Sequence, residues 1–159
     1  MASVQLRDRE GGRKDTVRWK WTHGAATAVA DFGNPTQPDG SDFALCLYDA
    51  SGLRAEWAMP AAGVCAGRPC WSARPSGFTY RNYAFGPDGR LQVSLKAGPD
   101  GVAKIDLKGS GSALAMPPPT TFAAPLTIQL QARGGLCWGA SYAAPFERQD
   151  PTRLQDRSD

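Results

Sequence analysis

The chain has 159 residues, and Gly (18) and Pro (13) together supply about one in five of them. Lys (5) and Glu (3) are scarce beside Arg (13) and Asp (12), so helix formers are few and turn formers many, which excludes a helical bundle or coiled coil. A 42% hydrophobic fraction excludes disorder, and a formal charge of +3 with both signs mixed along the chain gives no nucleic-acid footprint.

In chain order, Val4 to Arg7 and Val17 to Trp21 read as paired strands flanking a polar turn, Asp8 to Asp15. Met1 is followed by Arg7, Asp8 and Arg9 with no apolar core, so no signal peptide is expected at the start. The most apolar early segment, Ala25 to Phe32, is too short for a membrane span and is broken by Thr27 and Asp31. After a loop over Gly33 to Ser41, the run Asp42 to Asp49 alternates Phe43, Leu45 and Leu47 with Ala44, Cys46 and Tyr48. Both of its faces are apolar, which predicts a central strand. Ala50-Ser51-Gly52 turns the chain into a partner strand, Leu53 to Met59.

Phe78 to Arg81 begins another strand. The clearest unit follows: Leu91 to Lys96, the turn Gly98-Pro99-Asp100-Gly101, and Val102 to Lys108. Pro pre-sets φ and Gly accepts positive φ, so this is a β-hairpin. Pro-Asp-Gly occurs three times, at 38–40, 87–89 and 99–101. Pro117-Pro118-Pro119 reads as an extended connector. Leu126 to Gln131, Arg133-Gly134-Gly135 and Leu136 to Tyr142 form a last hairpin, and 148–159 reads as a polar tail that frays.

Two hairpins end in apolar residues and then Pro, at Trp57-Ala58-Met59-Pro60 and Tyr142-Ala143-Ala144-Pro145. This points to an internal duplication of about 75 residues per half. The expected fold is all-β, a two-sheet antiparallel sandwich of about ten short strands. One domain over 1–147 is expected, with halves 1–62 and 77–147.

Cys46, Cys65, Cys70 and Cys137 admit three readings: disulfides in an oxidising compartment, buried free thiols in a reducing one, or zinc. Zinc fits badly, because the only short spacing is Cys65-x4-Cys70 and the lone His23 is distant in sequence. Among three connectivities, the preferred one closes a local loop with Cys65–Cys70 and joins two strands with Cys46–Cys137.

Catalytic signals are weak. His23 is the only histidine, so any Ser-His-Asp or Cys-His chemistry must run through it, and no G-x-S-x-G elbow is present. Three glutamates, Glu10, Glu56 and Glu147, offer no marked pair for glycoside hydrolysis. The turns Asp8–Asp15 and Pro38–Asp42 are oxygen-rich enough to consider calcium; no other cofactor or metal is called for.

Aromatic residues are the best functional clue, as a platform on which sugars could stack. Trp19 and Trp21 share a strand face and alternate with Arg18, Lys20 and Thr22, which favours the core. Trp71 and Trp138 each follow a cysteine, also a core pattern. Tyr80 and Tyr83, with Trp57, remain the ligand-binding candidates.

The ordered motifs Cys46-Leu-Tyr48-Asp49, Cys65-Ala-Gly-Arg-Pro69-Cys70-Trp71, Gly77-Phe-Thr-Tyr80-Arg-Asn, Leu107-Lys108-Gly109-Ser-Gly111 and Cys137-Trp138 carry a resemblance. Across nearly the whole chain it resembles an uncharacterised family of bacterial modules found in deltaproteobacterial-type secreted proteins, with a lysine-rich pattern partly replaced by arginine here. The resemblance implies an exported, cysteine-bearing β domain without established activity, and carries over no functional residue. Alternating strands, the cysteines and the lack of a catalytic constellation make the expected function a non-catalytic extracellular or periplasmic structural or interaction module, its partner a protein or a cell-surface polysaccharide. A carbohydrate-binding module with exposed aromatics is the alternative, and a hydrolase the second.

Overall fold

The computed structural model describes residues 1–9, 14–84 and 89–158. Glu10, and Pro87-Asp88 of the second Pro-Asp-Gly turn, lie outside them. Fourteen strands follow in order: β1 (Ala2–Arg7), β2 (Thr16–Gly24), β3 (Phe43–Asp49), β4 (Gly52–Met59), β5 (Val64–Cys65), β6 (Arg68–Pro69), β7 (Trp71–Arg74), β8 (Gly77–Asn82), β9 (Arg90–Lys96), β10 (Ala103–Ser110), β11 (Leu126–Ala132), β12 (Cys137–Tyr142), β13 (Arg148–Asp150) and β14 (Arg153–Ser158). The fold is all-β, as expected. An eight-stranded antiparallel sheet has the order β13-β14-β1-β2-β10-β9-β8-β7, and a four-stranded one β12-β11-β3-β4. β5 and β6 form a small separate ribbon.

Period-two alternation decides which side chains meet between the sheets. Val4 and Leu6, Val17 and Trp19, Leu91, Val93 and Leu95, and Ile105 and Leu107 are buried from the large sheet. Phe43, Leu45, Leu47, Trp57, Met59, Leu126, Ile128, Leu130, Trp138 and Tyr142 are buried from the small one and belong to the same apolar cluster. β3 is interior to its sheet, as its doubly apolar pattern predicts. Buried indoles bridge the layers. Trp19 Nε1 (β2) donates to Tyr142 Oη (β12) at 3.1 Å, and Trp138 Nε1 donates to Thr27 Oγ1 at 3.3 Å. The half-buried Trp21 ring lies where a Cβ on Gly24 would sit, 1.9 Å from it, so a side chain at that position would have to displace the ring.

Three sequence expectations change. The tail does not fray: β13 and β14 form a hairpin, and β14 pairs with β1 over six residues from Ala2↔Ser158 to Arg7↔Arg153. Leu154 and Asp156 are buried beneath it. The connector through Pro117-Pro118-Pro119 holds 3-10 turns at Ser112–Leu114 and Pro119–Thr121, and Leu114, Met116 and Phe122 enter the core. The correspondence between halves also differs from a split into 1–62 and 77–147. Hairpins β7–β8, β9–β10 and β11–β12 occupy positions matching those of β13–β14, β1–β2 and β3–β4 about the central β2·β10 and β3·β11 pairings.

Cys65 and Cys70 form a disulfide that closes the β5–β6 ribbon. Cys46 and Cys137 are free, against the expected second bridge. Both project from the outer face of the small sheet. However, Cys46 aligns with Gln129 and Gly139, whereas Cys137 aligns with Gln131 and Ala44, so β11 and a two-residue offset lie between them. Two strand spacings are about 9.6 Å, beyond the reach of a disulfide. Cys46 is buried and its thiol is pushed up, first by burial and then by Glu56, against a lowering hydrogen bond with Tyr48. Iodoacetamide is therefore expected to label Cys137 alone in the native protein. Two thiols should react in denaturant and four after reduction, and intact mass reads each step.

Candidate functional site

The aromatic platform does not assemble. Tyr80 is 2% exposed and Trp57 3%, because each occupies the inward-facing parity of its strand. Tyr80 packs tilted on Trp71 at 5.0 Å between centroids, and Trp57 Nε1 donates to Leu114 O at 2.8 Å. Tyr83, beyond the end of β8, is 51% exposed and borders a depression that also holds Arg68, Arg74 and Arg81 beside the Cys65–Cys70 bridge.

The carboxyl candidates stay apart. Glu56 lies opposite Cys46 on the small sheet, while Glu147 accepts from Gln155 Nε2 and pairs with Arg157 beside the large one. His23 is exposed at the end of β2 with φ +53°. In the turns considered for calcium, Asp42 accepts from Ala61 N and Arg133, and Asp15 accepts from Arg9 N. Among the described residues no three His, Cys, Asp or Glu cluster as metal ligands would.

What the fold does build is a cationic face. Alternation that turns the apolar residues of the large sheet inward turns basic residues outward. Arg7, Arg18, Lys20, Arg74, Arg81, Arg90, Lys96, Lys104, Lys108, Arg148, Arg153 and Arg157 all project from its outer side, twelve of the chain's 18 Lys and Arg. Only Asp106 and Asp150 among the strand acids of this sheet point the same way.

The register arranges these groups in rows across the strands. One row runs Arg148, Gln155, Gln5, Arg18, Lys108, Gln92, Arg81. It crosses seven strands, about 29 Å at the usual strand spacing. The next runs Arg157, Ser3, Lys20, Asp106, Ser94, Thr79, Ser72. Asp106 is held by Lys20 at 3.9 Å and Lys108 at 3.7 Å, all three partly exposed. The face is a dense array of donors relieved by Gln, Ser and Thr, with a trough lined by Lys20, Arg81, Lys96, Lys104 and Lys108.

This arrangement opposes stability. Arg18 lies opposite Lys108, Lys96 opposite Lys104 and Arg7 opposite Arg153. Like charges directly across a strand pair destabilise a sheet. Departure from a local folding rule, repeated on one surface, is where a functional surface is expected.

Linear reading misses this face, because mixed charge along the chain hides segregation in space. The usable signal was parity: in Arg18-x-Lys20 and Lys104-x-Asp106-x-Lys108 the charged residues take the positions opposite to the apolar ones, while most acids fall in turns. No helix of the described residues is long and apolar enough to cross a membrane. No family model, curated protein or solved structure matches the chain.

Proposed function

We propose that this chain is a non-catalytic binding module that holds an acidic polysaccharide across the outer face of its large sheet. The observation that carries the reading is the segregation of twelve strand cations against two strand acids on that one face, with Glu147 on Arg157 at its margin. A field of this kind raises the local concentration of an anionic polymer and steers its approach. Interleaved Gln5, Gln92, Gln155, Ser3, Ser94 and Thr79 supply neutral donors and acceptors suited to hydroxyls.

Two features favour a polysaccharide over a nucleic acid. The Cys65–Cys70 bridge fits an oxidising compartment, in keeping with an extracellular or periplasmic setting. The outward positions of the large sheet's strands carry no Phe, Tyr or Trp on which bases would stack, whereas stacking is the usual means of holding single strands on a sheet. Tyr83, with Arg68, Arg74 and Arg81, offers one exposed ring at the margin for an acidic sugar. No observation favours the hydrolase reading.

The test is binding of polygalacturonate and heparin against neutral dextran at two salt concentrations. Acidic polymers are expected to bind and to weaken as salt rises, while dextran does not bind. Replacing Arg18, Lys108 and Arg81 together by Gln should weaken binding roughly ten- to hundred-fold, at about 0.5–1 kcal/mol per exposed contact. Equal binding of dextran, an unchanged affinity in the triple variant, or tighter binding of DNA than of either acidic polysaccharide overturns the reading.

A further inference from the structure

At one end of the cationic face, four guanidinium groups meet. Arg7 ends β1, Arg9 follows it, Arg148 opens β13 and Arg153 opens β14, and together they line one cleft with Thr152 and Asp8. Arg7 and Arg153 lie directly opposite each other across β1 and β14.

The Nε atoms of both Arg7 and Arg153 are buried, and neither has an acceptor among the described residues. A guanidinium nitrogen withdrawn from water without an acceptor is costly, and such groups are rare in folded proteins unless water or an ion satisfies them. Among the described residues the nearby acids are few, and one of them is engaged. Asp150 accepts from Arg148 Nε at 2.6 Å and from Thr152 N and Oγ1 at 2.9 and 2.7 Å. Among the described residues that line the cleft, Asp8 is the one carboxylate. Arg153 spends one Nη on Gln155. Burial, and then the fields of Arg153, Arg9, Arg18 and Arg148, hold the Arg7 guanidinium below its ordinary pKa.

We propose that Arg7 and Arg153, supported by Arg148, form a discrete oxyanion site that takes a sulfate, phosphate or carboxylate group. A planar guanidinium presents paired donors that match such an anion, and two of them facing each other need one shared counter-charge. The site deepens the reading of the face as a binder of acidic polysaccharide: it would seat one charged substituent of the polymer at a fixed place.

The test uses the full chain and sodium sulfate or sodium phosphate as probes, with ionic strength held constant by sodium chloride. Thermal midpoint and the arginine Nε–Hε NMR signals are followed. In the parent protein the midpoint should rise and saturate, and the Nε signals of Arg7 and Arg153 should shift together. In Arg153→Gln and Arg7→Gln the saturable rise should vanish. Each variant should be more stable than the parent in chloride alone, because a like-charge pair is removed. Arg153→Lys should bind about ten-fold more weakly, and Arg133→Gln, beside Asp42 at the end of the small sheet's β11 and away from the cationic face, should match the parent.

A midpoint that rises without saturation by the same slope in every variant is general salting-out and overturns the site. So does a shift of other arginines only. Should one glutamine variant not fold, the other and the NMR signals still decide. Binding of heparin that depends on Arg153, set against desulfated heparin that does not, identifies the ester on a polymer as the source; equal Arg153 dependence for free sulfate alone identifies the inorganic ion. Loss of the sulfate response with polymer binding intact removes this site and leaves the face. Sulfate binding without any polymer binding does the reverse.

Discussion

Replacing Trp19 by alanine is expected to cost about 3–5 kcal/mol, the largest effect of any single substitution considered for this protein. Trp19 is 0% exposed at the middle of the large sheet, between Val4 on β1 and Leu107 on β10. Its ring fills the space between the sheets, and its Nε1 is the partner of the buried Tyr142 hydroxyl. Burial, and secondarily Asp156, keep that phenol well above its ordinary pKa against a lowering bond from Trp19, so it stays a neutral hydroxyl in need of a donor or acceptor. Trp19→Ala removes both packing and bond. Trp19→Phe keeps most of the packing and should cost less, about 1–3 kcal/mol for the orphaned hydroxyl plus the smaller ring. Urea midpoints of the two variants separate the terms. Equal midpoints for Trp19→Ala and the parent would show that the ring does not support the core.

Ending the chain after Glu147 is expected to unfold it or drive it to aggregate. The deletion removes β13 and β14, the buried Leu154, and a six-residue ladder on β1. Truncating a single buried leucine costs about 2–5 kcal/mol, so losing the whole hairpin removes a large part of a typical domain stability of 5–15 kcal/mol. It also uncovers β1 as a bare edge ready to pair with other chains. Far-UV circular dichroism and size-exclusion chromatography read the outcome. A monomer with an unchanged unfolding midpoint would return the segment to the status of a frayed tail.

That segment also marks the limit of what local pattern conveys. The hairpin of β9 and β10 was legible because Leu91, Val93 and Leu95 face Ile105 and Leu107 across a turn with its own Pro and Gly. The local Cys65–Cys70 closure was legible from spacing. Residues 148–158 offer only Leu154 as an apolar signal, with Asp156 at the next inward position, and their partner strand lies at the far end of the chain. Tyr80 failed as a surface candidate because it shares the parity of Phe78, which the Arg81-Asn82 neighbourhood obscured. The cationic face escaped for a related reason: its members come from eight strands, and only register collects them. In each case the missing information was which strand lies beside which, a property of long-range pairing rather than of any window of sequence.

The pairing of β1 with β14 has a consequence for how the chain is threaded. Ala2 N donates to Ser158 Oγ at 2.8 Å, so the first and last described strands are antiparallel neighbours whose outer ends nearly touch. Around the large sheet β13, β14, β1 and β2 follow one another as β7, β8, β9 and β10 do. A circular permutant opened ahead of Trp71, with Ser158 running through a short linker into Met1, would read as two tandem units of three hairpins each, β7 to β12 and then β13 to β4. The twofold pattern is thus continuous in space through the β14–β1 pairing.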